Sequence, residues 1–179
     1  IIKCMKFVKL KINNQYLIVP KLFKDKRGIF NRSYCLETLK KRKLSFIAKQ
    51  GNISENPHKG TLRGFHYQKN SKDSKIISCI SGKMLNITID IRKNSSTYLK
   101  ITKNILSRSN KKSIFVPGGC ANLFLTLENN TIIHYYMNAL YKSKGDRGIR
   151  YNDPSFKIKL PIKPKVISLK DKSFKDFNI

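Results

Sequence analysis

The amino-acid sequence predicts an all-β fold, a jelly-roll-like sandwich or barrel with few short helices, and three observations lead there. Strand-like runs recur at short intervals between clusters of Gly, Asn, Ser and Pro. The aromatic side chains are 10 Phe and 8 Tyr with no Trp, a set that favours a pleated, half-buried surface. Several runs alternate apolar and polar residues, as a strand does when one face is dry and the other wet.

The elements follow in chain order. Residues 36–43 form the best helix candidate. Residues 60–68 read as a strand in which alternation places Leu62, Gly64 and His66 on one face and Arg63, Phe65 and Tyr67 on the other. After a turn at Ser81-Gly82-Lys83, residues 85–91 alternate strictly and predict a half-buried antiparallel strand. Residues 113–116 form another, running into the tight turn Pro117-Gly118-Gly119. In residues 131–138, Ile133, Tyr135 and Met137 share one face, with Ile132, His134 and Tyr136 on the other. A short turn is expected at 141–145, and the chain closes in a lysine-rich tail. No repeat or low-complexity linker interrupts the pattern, so residues 1–179 are expected to form one domain. A chain of that size buries about 70% of its unfolded surface, and a hydrophobic content of 40% supplies the core.

Charge is the compositional anomaly. Against 10 Asp and Glu stand 38 Lys and Arg, a formal net charge of +28. The lysines are scattered through nearly every segment, with one dense run at Lys40-Lys41-Arg42-Lys43, which fits a solvated lysine-rich surface better than a nucleic-acid footprint. Nucleic acid is therefore not the expected partner, although a small anionic substrate would be attracted. Cys4, Cys35, Cys79 and Cys120 are widely spaced without a CxxC pair and read as reduced thiols. No apolar run approaches the ~18 residues of a membrane helix and no cleavable signal pattern is seen, so a cytoplasmic protein without membrane contact is expected.

With only His58, His66 and His134, and neither HxH nor HExxH, no metal site is expected, and no cofactor. Phosphate-cradling GxxxxGK[ST], GxGxxG and GxSxG patterns are absent too. What remains is His66 three residues from Arg63, a titratable imidazole beside a fixed cation, which suits proton chemistry on an anionic substrate. A lone histidine in a strand is more often a packed core residue, so His66 needs partners elsewhere in the chain to count as a catalyst.

Seven ordered blocks supply them. They are Phe23-Lys24-Asp25-Lys26-Arg27-Gly28; Gln50-Gly51-Asn52; residues 60–68; Ser81-Gly82 through Asp90-Ile91-Arg92 and Ser95-Ser96-Thr97-Tyr98; Val116-Pro117-Gly118-Gly119-Cys120-Ala121-Asn122; Arg147-Gly148-Ile149-Arg150-Tyr151-Asn152-Asp153-Pro154; and Ile167-Ser168-Leu169-Lys170-Asp171. In this order the blocks make residues 20–177 resemble the dTDP-4-dehydrorhamnose 3,5-epimerases, metal-free members of the cupin (jelly-roll) superfamily. The resemblance implies a nucleotide-sugar substrate and inversion of the carbons flanking a 4-keto group on a 6-deoxyhexose, within deoxysugar or surface-polysaccharide biosynthesis. Such chemistry removes an α-proton to give an enolate and reprotonates the opposite face, and needs an acid and a base on opposite sides of the ring.

By the same resemblance, His66 is the base, Asp171 the carboxylate that orients it, Tyr135 the acid, and Lys75 the cation beside the keto oxygen. Arg27 and Arg63 match diphosphate contacts, Gln50 and Asn52 polar substrate contacts, and Phe23 and Tyr141 aromatic positions against the nucleobase. Alternation sends Arg63 away from His66, so the two serve one site only if the strand is bulged or twisted near Gly64 or two subunits share the pocket. Homodimers that exchange site residues are typical of the family. Two positions depart from its pattern: Asn122 stands where a second active-site histidine is usual, and Arg32 where a glutamate is common. Asparagine hydrogen-bonds but does not shuttle protons, which leaves open inversion at one carbon or at both. The alternative function is a non-catalytic cupin-like module that binds a nucleotide sugar or a polyanion.

Overall fold

The computed structural model describes residues 4–69 and 73–178. In chain order the strands begin with β1 (Met5–Lys9), β2 (Tyr16–Pro20), β3 (Leu22–Asp25) and β4 (Gly28–Asn31), and helix α1 (Leu36–Lys41) follows. Next come β5 (Gln50–Asn56), β6 (Thr61–Gln68), β7 (Lys75–Ser81), β8 (Lys83–Asp90), β9 (Ile101–Ser107), β10 (Ser113–Val116), β11 (Cys120–Thr126) and β12 (Thr131–Met137). A 3₁₀ turn at Ser143–Gly145, β13 (Asp146–Gly148), β14 (Val166–Ile167) and helix α2 (Leu169–Ser173) complete the described chain.

Two sheets carry the architecture. One runs β1-β2-β10-β7-β12-β5 and the other β13-β6-β11-β8-β9, with β14 laid parallel to the first residues of β6. The inner faces meet in a core that includes Ile77, Ile114 and Ile133 from the first sheet and Met84, Leu106 and Phe124 from the second. This is the expected all-β sandwich: two pleated faces that each alternate dry and wet bury their dry sides against one another.

The outer faces are covered as well. α1 lays Leu39 on Phe7, Ile76 and Phe115 of the first sheet. Over the second sheet the C-terminal segment packs Ile149 and Phe156 onto Leu85, Ile87, Ala121 and Leu123. That cover corrects the half-buried reading of residues 85–91: Asn86, Thr88 and Asp90 are fully buried too, because their face points between the sheets. Buried polar side chains on such a face require hydrogen-bond partners, and each has them. The predicted helix at 36–43 ends two residues early, with Lys43 adopting a positive φ of 56°.

β6 departs from regular alternation. His66 pairs with Asn122 but Arg63 pairs with Phe124, so β6 spends one more residue than β11 over the same span. The bulge sits at Gly64, whose φ of +107° an L side chain rarely adopts. A Cβ there would also meet the Asn122 carbonyl oxygen at 2.5 Å. The extra residue turns Leu62 and Phe65 together into the outer core and leaves Arg63 and His66 both on the inner side.

Candidate active site

Between the sheets lies a cavity of about 440 Å³, within the range of small-molecule sites. β7 and β12 give it Lys75, Ile77, Ile133, Tyr135 and Met137, and β6 and β11 face them with Arg63, His66, Asn122 and Phe124. Of the two faces read from residues 131–138, the one with Ile133, Tyr135 and Met137 lines the cavity. The simple alternation drawn for β6 does not hold, since the bulge brings Arg63 and His66 to one site within a single chain.

His66 Nε2 lies 2.8 Å from Asp171 Oδ1. An ionised carboxylate only accepts, so this contact places the ring proton on Nε2 and leaves the Nδ1 lone pair for a ligand. Asp171 is buried and its Oδ2 accepts from the Gly64 N–H at 3.0 Å, the amide exposed by the bulge. It sits in the first turn of α2, whose N-cap Ser168 accepts from the Asp171 N–H at 3.0 Å. Burial alone would push the Asp171 carboxyl up; hydrogen bonds from His66, Gly64 and Ser168 outweigh it and hold the group below the usual carboxylate value. Phe174, just past α2, meets the imidazole edge-on at a centroid distance of 6.0 Å. Its place depends on Gly148, where a Cβ would fall 2.1 Å from the Phe174 ring.

On the facing wall, burial pushes the Tyr135 phenol up, with Arg63 pulling the other way, so the hydroxyl stays a proton donor at neutral pH. Lys75 Nζ stands 3.2 Å from Asp73 Oδ2, both side chains largely out of solvent. Asn122 is held from behind: its Oδ1 receives Asn86 Nδ2 at 2.9 Å and Thr88 Oγ1 at 3.3 Å, which turns its amide nitrogen away from that pair. Arg63 is anchored through Nε to Asn56 Oδ1 at 3.2 Å.

The other expected residues divide. Tyr141 lines the cavity, with its hydroxyl 3.2 Å from Asp146 Oδ2, and Asp146 also pairs with Lys170. Gln50 and Asn52 are not among the lining residues but stand beside it: Asn52 is directly across from Tyr135 in the ladder and accepts from Gln50 Nε2 at 2.8 Å, while Gln50 Oε1 receives the Tyr141 N–H. Phe23 and Arg27 lie on the β3–β4 hairpin away from the cavity, where Arg27 pairs with Asp25 at 2.6 Å and Phe23 packs on Phe30. Arg32 is outside as well, with Nη1 3.8 Å from Cys4 Sγ. Sequence reasoning missed Asp73, Gln68 and Ser54 on the cavity wall. In a chain with 10 acidic residues, a carboxylate two positions before the expected lysine was a signal worth reading. Among the described residues no helix is long and apolar enough to cross a membrane.

Known proteins resemble this chain over nearly its whole length. Residues 9–178 match the family model described as dTDP-4-dehydrorhamnose 3,5-epimerase. The protein of that name from Methanothermobacter thermautotrophicus is 32% identical over 173 residues, covering 95% of this chain and 93% of the relative. The one from Shigella flexneri is 33% identical over 171 residues, 93% of each. Among solved structures, the Bacillus anthracis dTDP-4-dehydrorhamnose 3,5-epimerase with TDP and PPi bound superposes with a TM-score of 0.93 at 33% identity, covering 97% of this chain and 99% of that one. A Legionella pneumophila epimerase in complex with dTDP-4-keto-L-rhamnose gives 0.91 at 30% identity, covering 96% and 92%. With a hydrogen-bonded imidazole and carboxylate facing a half-buried phenol across one cavity, and with this likeness over nearly its whole length, the chain belongs to the dTDP-4-dehydrorhamnose 3,5-epimerase family.

Proposed function

We propose that the protein is an isomerase that inverts C3, C5 or both in a nucleotide-linked 4-keto-6-deoxyhexose. The observation that carries this reading is the His66–Asp171 pair facing Tyr135 across one cavity. Nδ1 of His66 removes the proton from a carbon next to the ketone, and Asp171 steadies the imidazolium that forms. Electron density moves onto the keto oxygen, where the Lys75 ammonium offsets the developing charge. The Tyr135 hydroxyl then delivers a proton to the other face, completing inversion. Each of the two proton transfers is expected to contribute about 10²–10⁴-fold.

For the rest of the ligand, Arg63 suits a phosphate oxygen, Asn122, Gln50 and Asn52 offer hydrogen bonds, and Tyr141 offers a ring to the base. Binding of TDP by the Bacillus anthracis relative supports a thymidine nucleotide here. Phe23 and Arg27 do not reach this chain's cavity. A homodimer would give them a role: the β3–β4 hairpin leaves Ile29 and Phe30 51% and 65% exposed, and an isolated two-stranded hairpin is marginal without a surface to pack on. Concentration-dependent sedimentation checks this, a monomer at all concentrations being the contrary result. The free thiols of Cys35, Cys79 and Cys120, the last two buried, fit a reducing cytoplasm.

Incubation in D2O with dTDP-4-keto-6-deoxyglucose, read by NMR, tests the function. Deuterium is expected at C3, C5 or both; none at either carbon overturns the reading. His66→Ala should abolish exchange, whereas Tyr135→Phe should keep exchange and lose completed inversion.

A further inference from the structure

The cavity contains a carboxylate that the mechanism above leaves unused. Asp73 is 4% exposed, yet its Oδ2, 3.2 Å from the Lys75 ammonium, accepts no hydrogen bond of good geometry from any described group. A carboxylate taken out of water is costly unless it is both paired and well hydrogen-bonded, and Asp73 has Lys75 and its own backbone amide but no further side-chain donor among the described residues. Burial pushes its carboxyl above the usual value, with Lys75 opposing. Asp90, equally buried, has its lone pairs filled by Arg92, Ser95 and Thr97. Asp73 and Lys75 both line the space a ligand enters.

Lys75 only donates and an ionised Asp73 only accepts. They present a donor and an acceptor one hydrogen-bond length apart to the same cavity, which complements two adjacent ligand oxygens, one accepting and one donating. A ketone next to a hydroxyl-bearing carbon is such a pair. On the sugar proposed above, the C4 ketone has a hydroxyl on the C3 side and a methyl-bearing carbon on the C5 side, so a single orientation satisfies both groups. Resting on that reading of the site, we propose that Asp73 and Lys75 form a fork for the α-hydroxyketone edge of the sugar, Lys75 holding the keto oxygen and Asp73 accepting from the C3 hydroxyl. The fork makes a C3 hydroxyl a requirement and fixes which way the ring lies between His66 and Tyr135.

The test compares dTDP-4-keto-6-deoxyglucose with its 3-deoxy counterpart in D2O, reading kcat/KM for exchange at whichever carbon exchanges. With the unaltered protein the 3-deoxy sugar is expected to be about 10²-fold poorer, the scale of a hydrogen bond to a charged group. Asp73→Ala should slow the parent sugar far more than the 3-deoxy sugar, so that the preference between them collapses, while Asp73→Asn, which keeps an acceptor oxygen, should recover part of the preference. Equal handling of the two sugars by the unaltered protein overturns the inference without any variant having to fold. So does an Asp73→Ala variant that slows both sugars alike, which would make Asp73 a structural partner of Lys75. Absence of exchange from either sugar removes the epimerase reading and this inference with it.

Discussion

Asp171 and Asp90 are both buried carboxylates held below the usual value, and their partners differ in kind. Asp90 ends β8 and is fully enclosed; it accepts from Arg92 Nε and Nη2 at 2.7 Å and from Ser95 Oγ and Thr97 Oγ1 at 2.6 Å. Every one of those donors is a structural side chain of the loop that follows, so the carboxylate clamps that loop to the sheet. Asp171 is similarly buried, but one of its oxygens ends on an imidazole that is still partly open to the cavity. Saturation marks the clamp. A bond passed on to a titratable ring that borders a cavity is what the proposed chemistry needs.

Substitutions should separate the two along that line. The largest expected effect is on turnover: Asp171→Asn lowers kcat about 10³–10⁴-fold, by freeing the ring and removing support for its charged form, while the thermal midpoint moves by only a few degrees. A loss of fold on the same scale as the loss of activity would erase the contrast. Asp90→Asn should do the reverse, costing about 3–5 kcal/mol in denaturant unfolding by stranding Arg92, with kcat of the folded fraction within about threefold of the original.

Smaller again is the acid limb. Burial would raise the Asp90 carboxyl, but Arg92, Ser95, Thr97 and the Arg92 amide together lower it from 3.8 to about 2. A depressed carboxyl contributes stability that is present above 3.8 and lost as pH falls toward about 2, roughly 2 kcal/mol in all. Asp171, lowered as well, adds to the loss with the same sign. Unfolding measured from pH 5 downward should show this slope, and Asp90→Asn should flatten it; an unchanged slope would mean that other carboxylates carry the acid limb.

How much of this was legible in the chain differs from element to element. Residues 113–116 and 131–138 announce their strands, and the latter its two faces, because side-chain alternation is a local property of an extended backbone. β8 announces its period but not its burial, since the C-terminal cover over Leu85 and Ile87 comes from residues far along the chain. α2 passed for charged tail, although Ser168 followed three residues later by Asp171 is a helix-start pattern. Arg63 and His66 were assigned to opposite faces because counting by twos fails across a bulge. Asp73 offers the sequence only its place two positions before Lys75, since its burial and its position on the cavity wall are not visible in a residue name.

The sequence by itself determined the strand periods, the apolar faces that must find one another, and the residue types available for proton transfer. Only the tertiary structure decided that His66 meets Asp171 across 105 positions of chain, that Tyr135 faces them from the other sheet, and that the β3–β4 hairpin with Phe23 and Arg27 stands clear of the cavity. The physical reason is one of range. Periodicity follows from the geometry of neighbouring peptides, whereas a site between two sheets exists only once their buried faces have packed and a single extra residue at Gly64 has turned one strand.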